Sequence, residues 1–314
     1  MHPFAKRISD SVSSLGEEKL IVQIRRWLGG VSPRAPFGIG DDCAVLPPSR
    51  GVQLITVDPV IYPRHFNDRV SPRQVGAKLL KRNLSDLAAM GGRPTAAVLA
   101  LTLDSSVRLD WLEQFYRGLA ACARRYGVSI VGGDVAQADS VLAASLTLLG
   151  EQAGARTLTR TGAQAGDSIY VTGVLGGSLR SGHHFRFSPR LAEGAWLAAR
   201  EDVKAMMDLS DGLAKDLHAL TPRNTAPAIN RDALPLRAGA TVRAALTDGE
   251  DYELLFALGA MADAESFHRA WFNAFPRLRL TRIGQFFTEG PLPHGAMNLA
   301  SYRGYEHLKR NDGR

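Results

Sequence analysis

The apolar positions of this chain switch between two periods, and the switches mark its elements. Leu20, Ile21, Ile24, Trp27 and Leu28 recur at helical spacing. Glu17 and Glu18 open that run, Arg25 and Arg26 stand near its end as the helix dipole favours, and Gly29-Gly30 stops it. Val75, Leu79, Leu80, Leu84, Leu87 and Ala88 predict a second helix over 74–89, on which Asn83 and Asp86 share a face. Trp111, Leu112, Phe115, Leu119 and Cys122 predict a third over 110–126. Later helices are expected over 189–200, 213–220 and 262–275.

Between the helices lie apolar runs of strand length, over 52–57, 96–103, 128–131, 141–149, 168–172, 205–207, 253–256 and 282–285. The strand over 52–57 delivers Asp58, after which Pro59 is expected to end regular pairing. That over 128–131 is expected to end in Gly132-Gly133-Asp134. That over 205–207 ends in Asp208-Leu209-Ser210-Asp211-Gly212, whose Ser210 or Asp211 is expected to cap the next helix. Residues up to about Asp10 read as a loose end, and 221–237 as a proline-punctuated connection. The interleaving of strands and helices gives an α/β (α+β) chain. Its first domain is expected over 1–152 and its second over 153–308, with 309–314 a disordered tail.

A chain of 314 residues, 45% hydrophobic and 22% charged, can bury two cores. The formal charge of +7 comes from scattered basic residues without a block or interleaved aromatics. It therefore fits phosphorylated small molecules, not nucleic acid. Two distant cysteines, Cys43 and Cys122, make no disulfide framework or zinc spacing, which fits a reducing cytoplasm. No run has the length of a signal-peptide core or a membrane span.

The candidate chemistry lies in the aspartates. Phe37-Gly38-Ile39-Gly40-Asp41-Asp42-Cys43 reads either as a solvated turn or as a loop that presents carboxylates to a hard cation. Asp42, Asp58, Asp86, Asp134, Asp208 and Asp211 all fall at strand ends, at a helix start or on a helix rich in small residues. If they converge, two unit charges 4 Å apart repel by about 4 kcal/mol at an effective dielectric near 20. Such a cluster requires cations, and all-oxygen ligands point to Mg²⁺ in preference to zinc. Several Mg²⁺ ions beside glycine loops suggest a nucleoside triphosphate. Gly173, Gly176 and Gly177 could hold phosphate, but lack the ending of a P-loop and the spacing of a dinucleotide fingerprint. His65 reads as a substrate contact or, in preference, as a packed loop histidine, and no nucleophile–base arrangement is evident.

Four motifs then become specific together. Asn83-Leu84-Ser85-Asp86-Leu87-Ala88-Ala89-Met90-Gly91, Gly132-Gly133-Asp134, Asp208-Leu209-Ser210-Asp211-Gly212 and Gly249-Glu250-Asp251-Tyr252-Glu253-Leu254 occur in this order. With Gly38-Ile39-Gly40-Asp41-Asp42 and Gly304-Tyr305, the chain resembles the thiamine-monophosphate kinase family of the aminoimidazole-ribonucleotide-synthetase-like (PurM-like) superfamily. The resemblance implies a homodimer whose N-terminal mixed sheets pair, a C-terminal α/β domain, and phosphoryl transfer from ATP to thiamine monophosphate. It implies Mg²⁺ at Asp42, Thr56, Asp58, Asp86, Asp134, Asp208 and Asp211, and ATP at Tyr126, Gly133, Arg160 and Ser210. His65, Glu250, Asp251 and Tyr305 would lie towards the acceptor. Metals and Arg160 would stabilise the transition-state charge, with no side chain acting as general base.

The chain departs from the family pattern at Val57, Tyr62-Pro63-Arg64, Val135 and Asp248, positions that the resemblance implies lie near the acceptor side. A PurM-like enzyme acting through ATP on another phosphorylated or carboxylated molecule is one alternative. A non-catalytic nucleotide-binding paralogue is the other. Two relatives are less expected: resemblance to selenophosphate synthetase would imply a reactive cysteine near the N-terminus, where none precedes Cys43, and resemblance to the hydrogenase-maturation relative a C-terminal cysteine, where this sequence reads Asp312-Gly313-Arg314.

Overall fold

The computed structural model describes residues 1–40, 43–49, 51–288, 290–291 and 293–305. They fall into two units, residues 1–87 with 92–152, and residues 88–91 with the chain from 153 onwards. The expected tail over 309–314 lies outside the described residues.

The first unit holds α1 (Glu17–Leu28), β1 (Gln53–Ile61), all but the end of α2 (Pro72–Ala89), β2 (Gly92–Leu103), α3 (Leu109–Tyr126), β3 (Ser129–Gln137) and β4 (Leu142–Gln152). Its mixed sheet runs β1-β4-β2-β3, antiparallel except for the β2–β3 pair. Leu54, Val60, Leu99, Leu101, Leu146 and Leu148 are buried, as are Val75, Leu79, Leu80 and Leu84 of α2. Helices α2 and α3 touch backbone to backbone. A Cβ on Gly76 would stand 2.1 Å from the Phe115 carbonyl oxygen, and one on Gly118 2.1 Å from that of Arg73. Trp111 stacks between Phe66 and Phe115, and Trp27 lies against Tyr116.

Three local expectations change here. Pro59 does not end β1: it sits opposite Ser145 and pairing continues to Ile61. The strand is an edge strand, where a missing N–H need not break a ladder. Gly132-Gly133-Asp134 lies inside β3, opposite Val98, Leu99 and Ala100, not past its end. The N-terminal residues are not loose: Phe4 and Ser11 bridge to Val107 and Arg108, and Phe4 lays its ring edge-on to Tyr62.

The second unit holds β5 (Ser168–Thr172), the short helices α4 (Ser178–Ser181) and α5 (His183–Arg186), α6 (Leu191–Ala198), β6 (Val203–Asp208), α7 (Leu213–Leu220), β7 (Thr225–Ile229), α8 (Val242–Thr247), β8 (Leu254–Leu258), α9 (Ala264–Ala274) and β9 (Leu280–Thr288). Its sheet, β6-β8-β5-β9-β7, is antiparallel throughout. β8 is buried at every residue because its faces feed two cores. Leu255 and Ala257 join Leu213, Leu217 and Leu246 from α7 and α8. Leu254, Phe256 and Leu258 join Leu197, Phe267 and Trp271 from α6 and α9. Trp196 packs edge-on to Trp271, under the Arg200 guanidinium. The connection over 221–237 contains β7, and so is not wholly irregular.

Candidate functional site

In the first unit, strand alternation puts Thr56 and Asp58 on the same face as buried Leu54 and Val60. Helix α2 supplies Arg82 and Asp86, four residues apart and therefore on one stripe. The Thr56 hydroxyl donates to Asp86 Oδ2 at 2.5 Å. Arg82 donates to Asp58 Oδ1 at 3.1 Å and to the Pro59 carbonyl at 2.6 Å. The side chains of Arg82 and Asp58 are 12% and 26% exposed, so the guanidinium is a genuine counter-charge.

Asp134 is exposed on β3, at the other edge of the sheet. Its neighbour Gly133 shares a row with Leu99, Leu146 and Asp58. Three strand spacings separate the edges, about 14 Å, too far for one ion to bridge within this sheet. A Cβ at Gly133 would lie 2.1 Å from the Leu99 carbonyl oxygen, so glycine is required there. Tyr126 closes α3 under the Arg125 guanidinium. His65 is held by its own loop: the Ile61 N–H donates to its Nδ1 at 3.0 Å, and Lys78 donates to its carbonyl. Asp42 lies outside the described residues.

In the second unit, β6 ends on Asp208, which is buried opposite Leu254. Ser210 and Asp211 are half-buried in the turn before α7. Neither caps that helix. Gly212, at φ +104°, is the N-cap residue, and no side chain caps it there. Instead Asp216 reaches back from the helix to accept from the Asp211 N–H at 3.0 Å. Burial pushes the Asp216 carboxyl up to about 7. Lys215 donates to Asp211 Oδ2 at 2.5 Å and to the Tyr305 carbonyl at 2.7 Å, and the Tyr305 N–H donates to the Asp211 carbonyl. Arg160 is exposed.

Residues 249–253 lie directly on this turn. Glu250 N–H donates to the Ser210 carbonyl, Tyr252 N–H to that of Leu209, and Leu209 N–H to that of Glu253. Glu250 and Tyr252 carry left-handed φ of +55° and +52°. Asp251 and Glu253 point inward, each side chain 2% exposed, against Arg237 and Arg190. Burial lifts Asp251 to about 6, against the pull of the Gly176 amide and Arg237. The glycine loop is satisfied internally. Gly176 N–H donates to Asp251 Oδ2 and Gly177 N–H to Asp248 Oδ2.

Among the described residues no group of three or more His, Cys, Asp or Glu side chains is gathered tightly enough to hold a metal. Of the sequence-predicted ligands, Thr56 hydrogen-bonds Asp86, Asp58 lies on the same face of β1 but pairs with Arg82, and Asp208 and Asp211 share the turn before α7. Both sets offer only oxygen, which suits a hard cation. Sequence reasoning missed Arg82, Arg190, Lys215, Asp216 and Arg237. Arg82 and Lys215 had a signal, each four residues from a predicted ligand, Asp86 and Asp211.

Residues 40–152 match the family model "AIR synthase related protein, N-terminal domain", which sets the class of fold. The chain is 35% identical over 246 residues to the thiamine-monophosphate kinase of Rhodopirellula baltica, covering 71% of this chain and 76% of that one. A thiamine-monophosphate kinase structure from Stenotrophomonas maltophilia K279a matches with a TM-score of 0.73 at 32% identity, over 88% of this chain and 96% of that one. AaThiL complexed with AMPPCP and TMP matches with a TM-score of 0.70 at 28% identity, over 95% and 98%. The chain belongs to the thiamine-monophosphate kinase family.

Proposed function

We propose that the protein phosphorylates thiamine monophosphate to thiamine diphosphate at the expense of ATP. The observation that carries this is 35% identity to a thiamine-monophosphate kinase over 76% of that enzyme. The site chemistry agrees. A phosphate monoester with a second pKa near 6 is already a dianion at neutral pH, so the acceptor needs no general base. Two polyanions must instead be neutralised and aligned.

The set we propose for Mg²⁺ is Asp42, Thr56, Asp58, Asp86, Asp134, Asp208 and Asp211. When bound, the ions would supply Lewis acidity and neutralise phosphate charge. Arg82 pairs with Asp58 and Lys215 with Asp211. We assign Tyr126, Gly133, Arg160 and Ser210 to ATP. Arg160 is exposed and would offer a cation to the transferring group. We assign the acceptor side to His65, the Glu250–Asp251 segment and Tyr305.

We further propose a homodimer. Ile55 and Val57, 71% and 60% exposed, form an apolar stripe on β1 of a kind that calls for a cover. Free Cys43 and Cys122 suit a cytoplasmic enzyme. Incubation with Mg-ATP and thiamine monophosphate is expected to yield thiamine diphosphate and ADP in equal amounts. ATP binding without product would refute the acceptor.

A further inference from the structure

Arg237 stands in an irregular connection, yet its guanidinium joins three segments. Its Nε donates to the Gly176 carbonyl at 3.0 Å. Its Nη2 donates to the Val174 carbonyl at 3.1 Å and to Asp251 Oδ1 at 3.2 Å. Asp251 closes the ring, since its Oδ2 accepts from the Gly176 N–H at 2.8 Å. The same turn is stitched by backbone bonds, Leu175 N–H to the Pro235 carbonyl and Arg237 N–H to that of Leu175. The Ser178 hydroxyl donates to the Glu250 carbonyl at 2.6 Å, and His183 Nε2 meets the Asp251 carbonyl at 3.2 Å.

Both bonding edges of the Asp251 carboxylate are thus engaged by protein, and the side chain is 2% exposed. Its oxygens are turned inward and out of reach of a substrate. Glu250 beside it is half-buried. Two consecutive-but-one residues with left-handed φ persist only where their surroundings over-determine them. Here the surroundings are two buried ion pairs, Arg237–Asp251 and Arg190–Glu253, anchored on either side of Tyr252. Breaking one partner of such a pair is far more damaging than its net contribution suggests, because a buried charge is stranded.

We infer that Arg237 is a positioning residue for the phosphoryl acceptor: with Asp251 as its fixed counterpart, it clamps the 174–176 turn and sets the backbone that presents Glu250. Asp251 is then scaffold and does not touch substrate. The inference rests on the acceptor-side reading of Glu250 given above. A planar fork with donors in three directions is needed, so lysine replaces it only in part.

The test pairs kinetics with hydrogen exchange in Arg237→Lys, Arg237→Ala and Glu250→Gln. In Arg237→Ala the KM for thiamine monophosphate is expected to rise at least 10-fold while that for ATP stays within 2-fold. Added guanidinium is expected to restore most of the loss, and Arg237→Lys to fall between. Amide exchange over 174–178 and 249–253 is expected to accelerate together in Arg237→Ala and to slow again with guanidinium. Unchanged exchange there, or exchange that guanidinium does not slow, overturns the clamp even where the wild type makes no product. Equal rises in both KM values overturn the acceptor-specific role. An unchanged acceptor KM in Glu250→Gln, with the clamp signature intact in Arg237→Ala, removes the acceptor reading and leaves the clamp standing.

Discussion

Asp86 is where single-residue chemistry is most exposed to test. Its carboxylate accepts from Thr56 and sits one helical turn from Arg82, so Asp86→Asn keeps the shape and hydrogen bond while removing the charge. We expect kcat to fall by about 100-fold or more, as when one electrostatic stabiliser is lost, with an unchanged melting temperature; normal turnover would sink the metal set. His183 offers a pH test. Burial first, then the Arg237 charge, pulls its pKa from the ordinary 6.5 to about 4. Between those values the unfolded chain binds more protons than the folded one, so stability rises with pH and is lost as pH falls from 6.5 towards 4. The urea midpoint of the wild type should drop between pH 7 and pH 5 by more than that of His183→Phe. Asp58, Asp86 and Asp208 were legible in sequence because a carboxylate interrupts an apolar pattern. Arg190 and Arg237 were not, since their partners stand 63 and 14 residues away and only the fold joins them.

At the scale of elements, periodicity located the longer helices and every strand but β7, missed the short helices α4, α5 and α8, and side-chain chemistry misplaced some ends. Pro59 looked like a terminator because its edge position is not written in the local sequence. Gly132-Gly133 looked like the end of a strand, yet it lies inside β3, and Gly133 is demanded by the close approach of β2. The α7 start looked capped by Ser210 or Asp211, whereas Gly212 is the N-cap residue and Asp216 instead reaches back to the Asp211 N–H of the preceding turn. The α2–α3 crossing gives a quantitative expectation. With the Phe115 carbonyl 2.1 Å from any Cβ at position 76, Gly76→Val must force two backbones apart. We expect a loss of about 3 kcal/mol, the upper end for overpacking, read as a lowered denaturant midpoint at unchanged slope.

For the whole molecule, the α/β class was visible in the alternation of strand and helix patterns. The inward burial of the Gly249–Glu253 motif was not, because backbone conformation decides which of its acids face water. The exposed Ile55 and Val57 stripe predicts that Val57→Lys shifts sedimentation from dimer to monomer at micromolar concentration; a wild-type monomer there would count against paired sheets. The four tryptophans divide evenly, Trp27 and Trp111 in the first unit, Trp196 and Trp271 in the second. Each pair lies among other aromatic rings, so its emission should change sharply on exposure. A Trp196→Phe, Trp271→Phe double variant would leave light only from the first unit. Comparing its fluorescence transition with that of the complementary double variant would then tell whether the molecule melts as one cooperative body or as two.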